Sequence, residues 1–185
     1  MIKGKKVLLG VTGSIAAFKA AALTSQLVKE AAQVKVVMTK EAAYFITPLT
    51  FQALSGNRVY QEMFGETEDW EIDHVSLSDW PDIVLVCPAT ANIISKVAAG
   101  LADDLLSAVI LATRKKVIFV PAMNSGMWQN PILQRNVSGL KRLGYRFIGP
   151  VKGRLACGKE GEGRMVEVEE VMRLLRKTLL AMTKE

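Results

Sequence analysis

Apolar runs of strand length alternate along this chain with longer stretches of helical period. Residues 7–11, 34–38, 83–87, 117–120 and 145–148 read as strands, the first four nearly continuous in Val, Ile and Leu. Strands of that kind are buried on both faces, so they belong to a parallel sheet covered on each side. Between them, the spacing predicts helices over 14–32, 48–54, 91–99, 103–112, 131–143 and 169–180. Pro48 and Pro131 sit at helix starts, and Gly56 and Gly144 follow helix ends, which matches where each residue is tolerated. The fold class expected is α/β: a three-layer Rossmann/flavodoxin-like open parallel sheet with helices on both faces.

Two segments fall outside the repeat. Residues 57–80 are polar and contain Trp70, Trp80 and the chain's one histidine, His74. Residues 149–165 are rich in Gly and basic side chains and contain Cys157. Long segments without a regular pattern inside a compact domain are usually functional or disordered, and the reactive side chains here favour function.

Composition narrows the classes. The 185 residues, half of them hydrophobic, suffice for one core without metals or disulfides, and a single domain over 1–185 is expected. No apolar run approaches the length that crosses a bilayer, and no cleavage pattern follows the N-terminus, which leads to a cytoplasmic protein as the expectation and no membrane partner. The net charge of +6 is spread among acidic residues, with no basic tract carrying interleaved aromatics, so nucleic acid is disfavoured as a partner. Cys87 and Cys157 share no metal-ligand spacing, and no metal is expected.

In open parallel sheets, ligands bind beyond the carboxyl ends of the strands. The first exit reads Val11-Thr12-Gly13-Ser14-Ile15, where Gly13 admits close backbone approach and Ser14 is placed to cap a helix whose free amides face an anion. An ordinary helix N-cap has the same residues, and this segment alone leaves both readings open. A dinucleotide fingerprint is absent: the glycine spacing differs, and the second strand ends in Thr39-Lys40 where an acidic residue would be needed for a ribose diol. A mononucleotide with one phosphate suits the pattern better. The later exits, Cys87-Pro88-Ala89-Thr90-Ala91-Asn92 and Pro121-Ala122-Met123-Asn124-Ser125-Gly126-Met127-Trp128, add hydroxyl and amide groups and a soft apolar surface for a flat ring.

Together, Gly13-Ser14-Ile15, Asp73-His74-Val75, Pro121-Ala122-Met123-Asn124 with Met127-Trp128, and Leu155-Ala156-Cys157-Gly158 with Gly163-Arg164-Met165 resemble the phosphopantothenoylcysteine decarboxylase family, in the same order over nearly the whole chain. The resemblance implies an FMN-dependent oxidative decarboxylation of 4′-phosphopantothenoylcysteine to 4′-phosphopantetheine in coenzyme A biosynthesis. The thiol-bearing carbon becomes a thioaldehyde, carbon dioxide leaves, and the enethiolate is then reduced and protonated.

The same resemblance assigns roles. His74 is the base that positions or deprotonates the substrate, and an imidazole suits that work at neutral pH. Cys157 is the proton donor to the enethiolate, on a mobile flap (149–165) suggested by Gly158, Gly161 and Gly163. Asn124 holds the substrate over the flavin. Arg154, Ala156 and Met165 contact the substrate. Gly13, Ser14, Ile15, Thr39, Thr90, Ala91, Asn92, Ser107, Ala122 and Met123 hold the cofactor. The resemblance also implies a homo-oligomer, a trimer or an assembly of trimers such as a homododecamer, with the site shared between neighbours; Trp70, Trp80 and Trp128 are candidate interface residues. A second domain follows in many relatives. Rival readings are a flavin prenyltransferase, a peptidyl-cysteine decarboxylase, and a non-catalytic flavin-binding regulatory subunit. The flap cysteine, the Asn124 motif and the lack of charged tails favour the decarboxylase.

Overall fold

The computed structural model describes residues 2–63 and 73–182. Its sheet is built from β1 (Lys6–Val11), β2 (Gln33–Met38), β3 (Val59–Tyr60), β4 (Ile83–Ala89), β5 (Lys116–Pro121) and β6 (Arg146–Phe147). These pair in the order β3-β2-β1-β4-β5-β6, and every pairing is parallel. The helices are α1 (Ala17–Lys29), α2 (Pro48–Ser55), α3 (Asp73–Asp79), α4 (Ala91–Ala98), α5 (Leu105–Ala112), α6 (Ser125–Trp128), α7 (Pro131–Arg142) and α8 (Val168–Met182).

The strand pattern dictates the layers. In β1, Val7, Leu9 and Val11 pack into one core with Leu23 and Leu27 of α1 and Leu175 of α8, whereas Leu8 enters the opposite core with Leu106 of α5 and Val137 of α7. β4 divides in the same way, with Ile83 and Leu85 on one face and Val84 and Val86 on the other. This period-two split places helices on both faces, as the unbroken apolar strands require. Each fully buried Leu, Ile or Phe contributes roughly 1.5–3 kcal/mol of transfer free energy, so these faces dominate the stability. At the sheet's rim, the Arg176 guanidinium donates to the Glu30 carboxylate from Nε at 3.1 Å, tying α8 to the end of α1.

The chain runs from β1 outward through β2 to β3, then crosses to β4 on the other side of β1. The order reverses between β1 and β4, and the crevice at their carboxyl ends is where the fold leaves room for a ligand.

Four local features differ from the sequence expectation. α1 begins at Ala17, not at Ser14: the N-cap is Ala16, with no side-chain cap, and Ser14 Oγ instead accepts the Ala16 amide at 3.2 Å. The segment 57–80 contributes an edge strand of two residues, β3, and the short α3, which buries Leu77 and Ser78; both are too short and too polar to leave a periodic signature. Residues 149–165 hold an antiparallel hairpin, β7 (Val151–Arg154) and β8 (Glu160–Arg164), not a structureless loop. Its strands alternate glycine with charged residues, so no apolar period announces them. Trp128 is 9% exposed and packs in the core with Leu133, not on a surface. Trp80 lies among Lys6, Lys35 and Pro81 at the strands' amino ends, far from the carboxyl-edge crevice, with Lys35 Nζ 4.8 Å from its ring centre. Trp70 lies outside the described residues. Among the described residues no helix is long and apolar enough to cross a membrane.

Candidate functional site

Two cavities open at the carboxyl edge and share Ser14, Ala122 and Met123. The smaller, of about 310 Å³, is lined by Thr12, Gly13, Thr39, Glu41, Thr90, Ala91, Asn92, Asp104 and Met127 besides the shared residues. Its walls are the exits of β1, β2 and β4, brought together by the parallel register.

One hydroxyl ties these exits together. Thr12, 2% exposed, donates from Oγ1 to the Pro88 carbonyl at 2.7 Å and accepts the Thr90 amide at 3.1 Å. Thr90 in turn caps α4, its Oγ1 accepting the Ile93 amide at 3.4 Å. Because the first-turn amides of a helix have no intrahelical acceptor, Ala91 and Asn92 retain donors for a ligand. Gly13 is required by contact: a Cβ there would lie 2.5 Å from Glu41 Cβ and 3.1 Å from the Glu41 carbonyl carbon. Thr39 Oγ1 is buried without a hydrogen-bond partner, an unmet polar group of the kind a bound hydroxyl or phosphate oxygen satisfies. No Lys or Arg is among the described residues lining this cavity. An anion here would rest on the first-turn amides of α4 and on hydroxyls, in a cavity whose wall also carries the Glu41 and Asp104 carboxylates.

Asp104 closes the floor. Burial alone would raise its pKa, but a hydrogen bond from Lys96 and the Ser107 amide outweigh it and hold the carboxyl below its ordinary value. Lys96 Nζ lies 2.7 Å from Asp104 and 2.8 Å from Asp103. Ser107 lines neither cavity: it is fully buried, and its Oγ donates to Asp104 in a reciprocal cap, with the Ser107 amide 2.8 Å from Asp104 Oδ1.

The larger cavity, of about 750 Å³, lies between the start of α1, the exit of β5 and the hairpin. Ile15, Phe18 and Lys19 form one wall; Asn124, Arg154, Leu155, Ala156, Cys157 and residues 163–165 form the other. Asn124 is the N-cap of α6: its Oδ1 accepts the Gly126 amide at 2.8 Å, so its NH₂ group is turned away from that bond. The same NH₂ nitrogen is 4.0 Å from Cys157 Sγ, which joins the β5 exit to the hairpin tip.

The hairpin's glycines seat it on this exit. A Cβ on Gly161 would meet Ser125 Oγ at 1.9 Å, and one on Gly163 would meet the Met123 carbonyl oxygen at 2.3 Å. Gly163 also holds φ at 141°, and its carbonyl accepts the Met123 amide at 2.9 Å. Of the three glycines expected to confer mobility, two are therefore close-packing positions, and Gly158 alone sits in open space at the tip.

The expected residues thus divide in three. Gly13, Thr39, Thr90, Ala91 and Asn92 gather around the smaller cavity; Ile15, Asn124, Arg154, Ala156, Cys157 and Met165 around the larger; Ser14, Ala122 and Met123 between them. His74 lines neither. It lies on α3, half-buried, with Nδ1 buried and unpartnered. Sequence reasoning missed Thr12, Glu41, Asp104 and Lys19. Only Lys19 left a signal, as a lone cation in the otherwise small and apolar stretch from Ile15 to Ala22. The two cysteines also separate: Cys87 is buried, and burial pushes its thiol pKa well up, whereas Cys157 is exposed. Among the described residues no group of three or more His, Cys, Asp or Glu is placed to hold a metal.

Known proteins of the same shape place this geometry in context. A relative from Bacillus subtilis, the coenzyme A biosynthesis bifunctional protein CoaBC, is 48% identical over 96% of this chain, and the chain spans 44% of that relative's length. A probable phosphopantothenoylcysteine decarboxylase from Streptococcus mutans is 42% identical over 95% of this chain and 99% of its own. Among solved structures, a mutant PPC decarboxylase complexed with pantothenoylaminoethenethiol superposes with a TM-score of 0.84 at 32% identity, covering 96% of this chain and 99% of the other. The FMN binding protein AtHal3 gives 0.82 at 32% identity, covering 97% and 98%. The family model described as Flavoprotein matches residues 1–180, and the chain belongs to that family.

Proposed function

We propose that the chain is an FMN-dependent decarboxylase of 4′-phosphopantothenoylcysteine, acting in the cytoplasm in coenzyme A biosynthesis. The observation that carries this reading is the pair of cavities joined through Ser14, Ala122 and Met123: one offers α4 amides and the Thr12, Thr39 and Thr90 hydroxyls beside the Glu41 and Asp104 carboxylates, and the other offers Asn124, Cys157 and the cations Lys19, Arg154 and Arg164 on a mostly apolar wall. FMN, when bound, supplies the two-electron oxidation and reduction that no side chain performs. Its phosphate matches the smaller cavity, where Gly13, Ser14, Thr90, Ala91, Asn92 and the unpartnered Thr39 hydroxyl would hold it, with Ile15, Ala122 and Met123 toward the ring; Ser107 acts from behind, through Asp104.

In the larger cavity, the orientation of Asn124 follows from its cap: Oδ1 is committed to Gly126, so the NH₂ group is free to donate to the substrate's carboxylate without adding charge. Cys157 delivers a proton from Sγ to the enethiolate carbon, within a hairpin tip close enough to Asn124 to act on the same molecule. Arg154, Ala156 and Met165 contact the substrate, and residues 149–165 serve as its flap. Lys19, Arg154 and Arg164, with no Asp or Glu among the described lining residues, favour a doubly anionic substrate over an uncharged one.

His74 acts as the base from a neighbouring copy. Two observations support a shared site: His74 lies apart from both cavities of its own chain, and exposed apolar side chains stand on the wall of the larger one, with Ile15 57% and Phe18 61% exposed. A homotrimer, or an assembly of trimers, would cover that surface and bring a second chain to the cavity rim.

The test is direct. Purified protein should show flavin absorption bands and release carbon dioxide from 4′-phosphopantothenoylcysteine, and His74→Asn should keep the flavin while losing turnover. Colourless protein that does not take up FMN would overturn the reading.

A further inference from the structure

The amino edge of the sheet, opposite the strand exits that form the two cavities, gathers cations that neither cavity uses. A third concavity, of about 550 Å³, opens there between the turn before β1 and the segment joining α3 to β4. Lys3, Lys5, Lys6 and Lys115 line it, with Trp80 and two aspartates, Asp79 and Asp82.

Backbone bonds fix its walls. The Lys5 amide donates to the Ile2 carbonyl at 2.9 Å, closing a tight turn in which Gly4 holds φ at 75° and Ile2 is buried. The Gly4 amide reaches the Ala31 carbonyl at 2.8 Å, so the turn is tied to the chain just past α1. On the other side, Asp82 Oδ2 accepts the Lys6 amide, and the Asp82 amide donates to the Lys6 carbonyl, both at 2.8 Å. That carboxylate is thereby engaged by the backbone.

The lysines beside Trp80 are held by rings, not by carboxylates. Lys6 Nζ lies 5.8 Å from the centre of the Trp80 ring and Lys35 Nζ 4.8 Å; Lys35 is also 5.8 Å from the centre of the Tyr60 ring. A ring face orients an ammonium through its quadrupole but, unlike a carboxylate, leaves its charge uncancelled. Among the described residues, Lys3, Lys5, Lys6, Lys35 and Lys115 make no ion pair. Around Trp80, these five lysines stand against two aspartates. The fold brings them together from 3–6, 35 and 115, so no basic tract marks them in the sequence.

Several uncancelled ammonium groups on one wall suit a chain of linked phosphates, whose many oxygens meet several donors at once. The Trp80 and Tyr60 rings each carry two cations already, which disfavours the base stacking that single-stranded nucleic acids use. We infer that the concavity beside Trp80 is a binding site for an oligophosphate group, from a free polyphosphate chain or the triphosphate of a nucleotide, separate from the flavin and substrate sites. Lys3, Lys5, Lys6 and Lys115 meet the phosphates, and Trp80 is a positioning residue that holds Lys6 and Lys35.

The test is calorimetric titration of the FMN-loaded protein with inorganic tripolyphosphate, adenosine triphosphate and orthophosphate, at low ionic strength where exposed charges are least screened. One tripolyphosphate per chain is expected, bound about tenfold or more tightly than orthophosphate, because each further charge-assisted contact multiplies affinity. Lys5→Gln and Lys115→Gln should each weaken it by about threefold, and the double variant by about tenfold. Tripolyphosphate should shift tryptophan emission in the wild type as the ammonium groups beside Trp80 turn to phosphate. Trp80→Phe, which keeps a ring for the lysines, should still bind but lose that shift. Adenosine triphosphate binding as tightly as tripolyphosphate marks a nucleotide as the source, and a preference for the bare chain marks polyphosphate. Several anions per chain, equal affinities for tripolyphosphate and orthophosphate, or full binding by the double variant would overturn the site. Loss of binding in Arg154→Gln instead would also overturn it, by sending the anion to the larger cavity. So would a short oligouridylate that binds where tripolyphosphate does not. An emission shift that persists in Trp80→Phe would remove the positioning role.

Discussion

The hydroxyl of Thr12 accepts the amide of Thr90 at 3.1 Å, across the point where the strand order reverses. With its donation to the Pro88 carbonyl, this buried side chain fixes the distance between the two strand exits that form the smaller cavity.

Thr12→Val keeps the shape and removes both bonds. Leaving the Thr90 amide and the Pro88 carbonyl buried without a partner should destabilise the fold by roughly 1–3 kcal/mol. Chemical denaturation of the flavin-free protein measures that loss, and FMN titration should show weaker binding of the same variant. Thr12→Ser, which keeps the hydroxyl, should restore most of both.

Gly163→Ala confronts a carbonyl oxygen 2.3 Å away and a φ of 141°. Neither is relieved by moving a flexible side chain, so the hairpin must leave its seat on Met123. Strain of about 1–3 kcal/mol is expected for an alanine in that backbone region. Thermal denaturation should register it, and turnover should fall further than stability does, because Cys157 is displaced from Asn124. Gly158→Ala meets no neighbour and should leave the hairpin seated, with only the strain of its own positive φ of 83°.

The cysteines should separate by reactivity. Burial pushes the Cys87 thiol pKa well up and removes it from solvent, whereas Cys157 is exposed. Mass spectrometry of protein treated with iodoacetamide should find one modified thiol per native chain, at 157, and a second after unfolding. Cys157→Ser should release carbon dioxide yet accumulate the enethiol, seen by mass spectrometry; normal product at the normal rate would remove the proton-donor role.

Asp104 carries a pH signature. Its folded pKa is depressed below the ordinary aspartate value of 3.8, so its contribution to stability is fully present above that value and is lost as pH falls through the folded one. As pH falls below about 4 the wild type should lose stability faster than Asp104→Asn, which retains a good N-cap but cannot ionise. Solvent screening of the partly exposed pair with Lys96 keeps the difference under about 1 kcal/mol. Urea titrations at several pH values measure it; parallel slopes would remove the Lys96 pair from the acid response.

What could be read before any coordinates follows the physics of each segment. The strands of the sheet announced themselves because burial on both faces demands unbroken apolar runs, and the parallel order then fixed where their exits gather. Gly13, Thr90 and Asn124 were legible for the same reason: they stand at those exits. Thr12 was not, because a threonine ending a strand is common and its two bonds cross 76 and 78 residues of sequence. The hairpin was invisible to periodicity, since its stability comes from glycines that let it sit on Met123 and Ser125. Trp128 pointed the wrong way because an indole near a strand exit packs as readily into the core as against a ligand. The partners of Lys19, from the other end of the chain, follow only from the docking of α8 beside α1.

The hairpin touches the sheet through the Met123 exit and is otherwise carried on the connection into α8. On the proposed reading, substrate and nucleotide contacts are drawn partly from separate stretches of sequence: Arg154, Ala156 and Cys157 of the larger cavity lie within 151–164, while the amides of the smaller one belong to the strand ends. Grafting that stretch from one member of the family to another would redirect selectivity with the flavin cradle untouched, and divergence within such a lineage needs to edit little else.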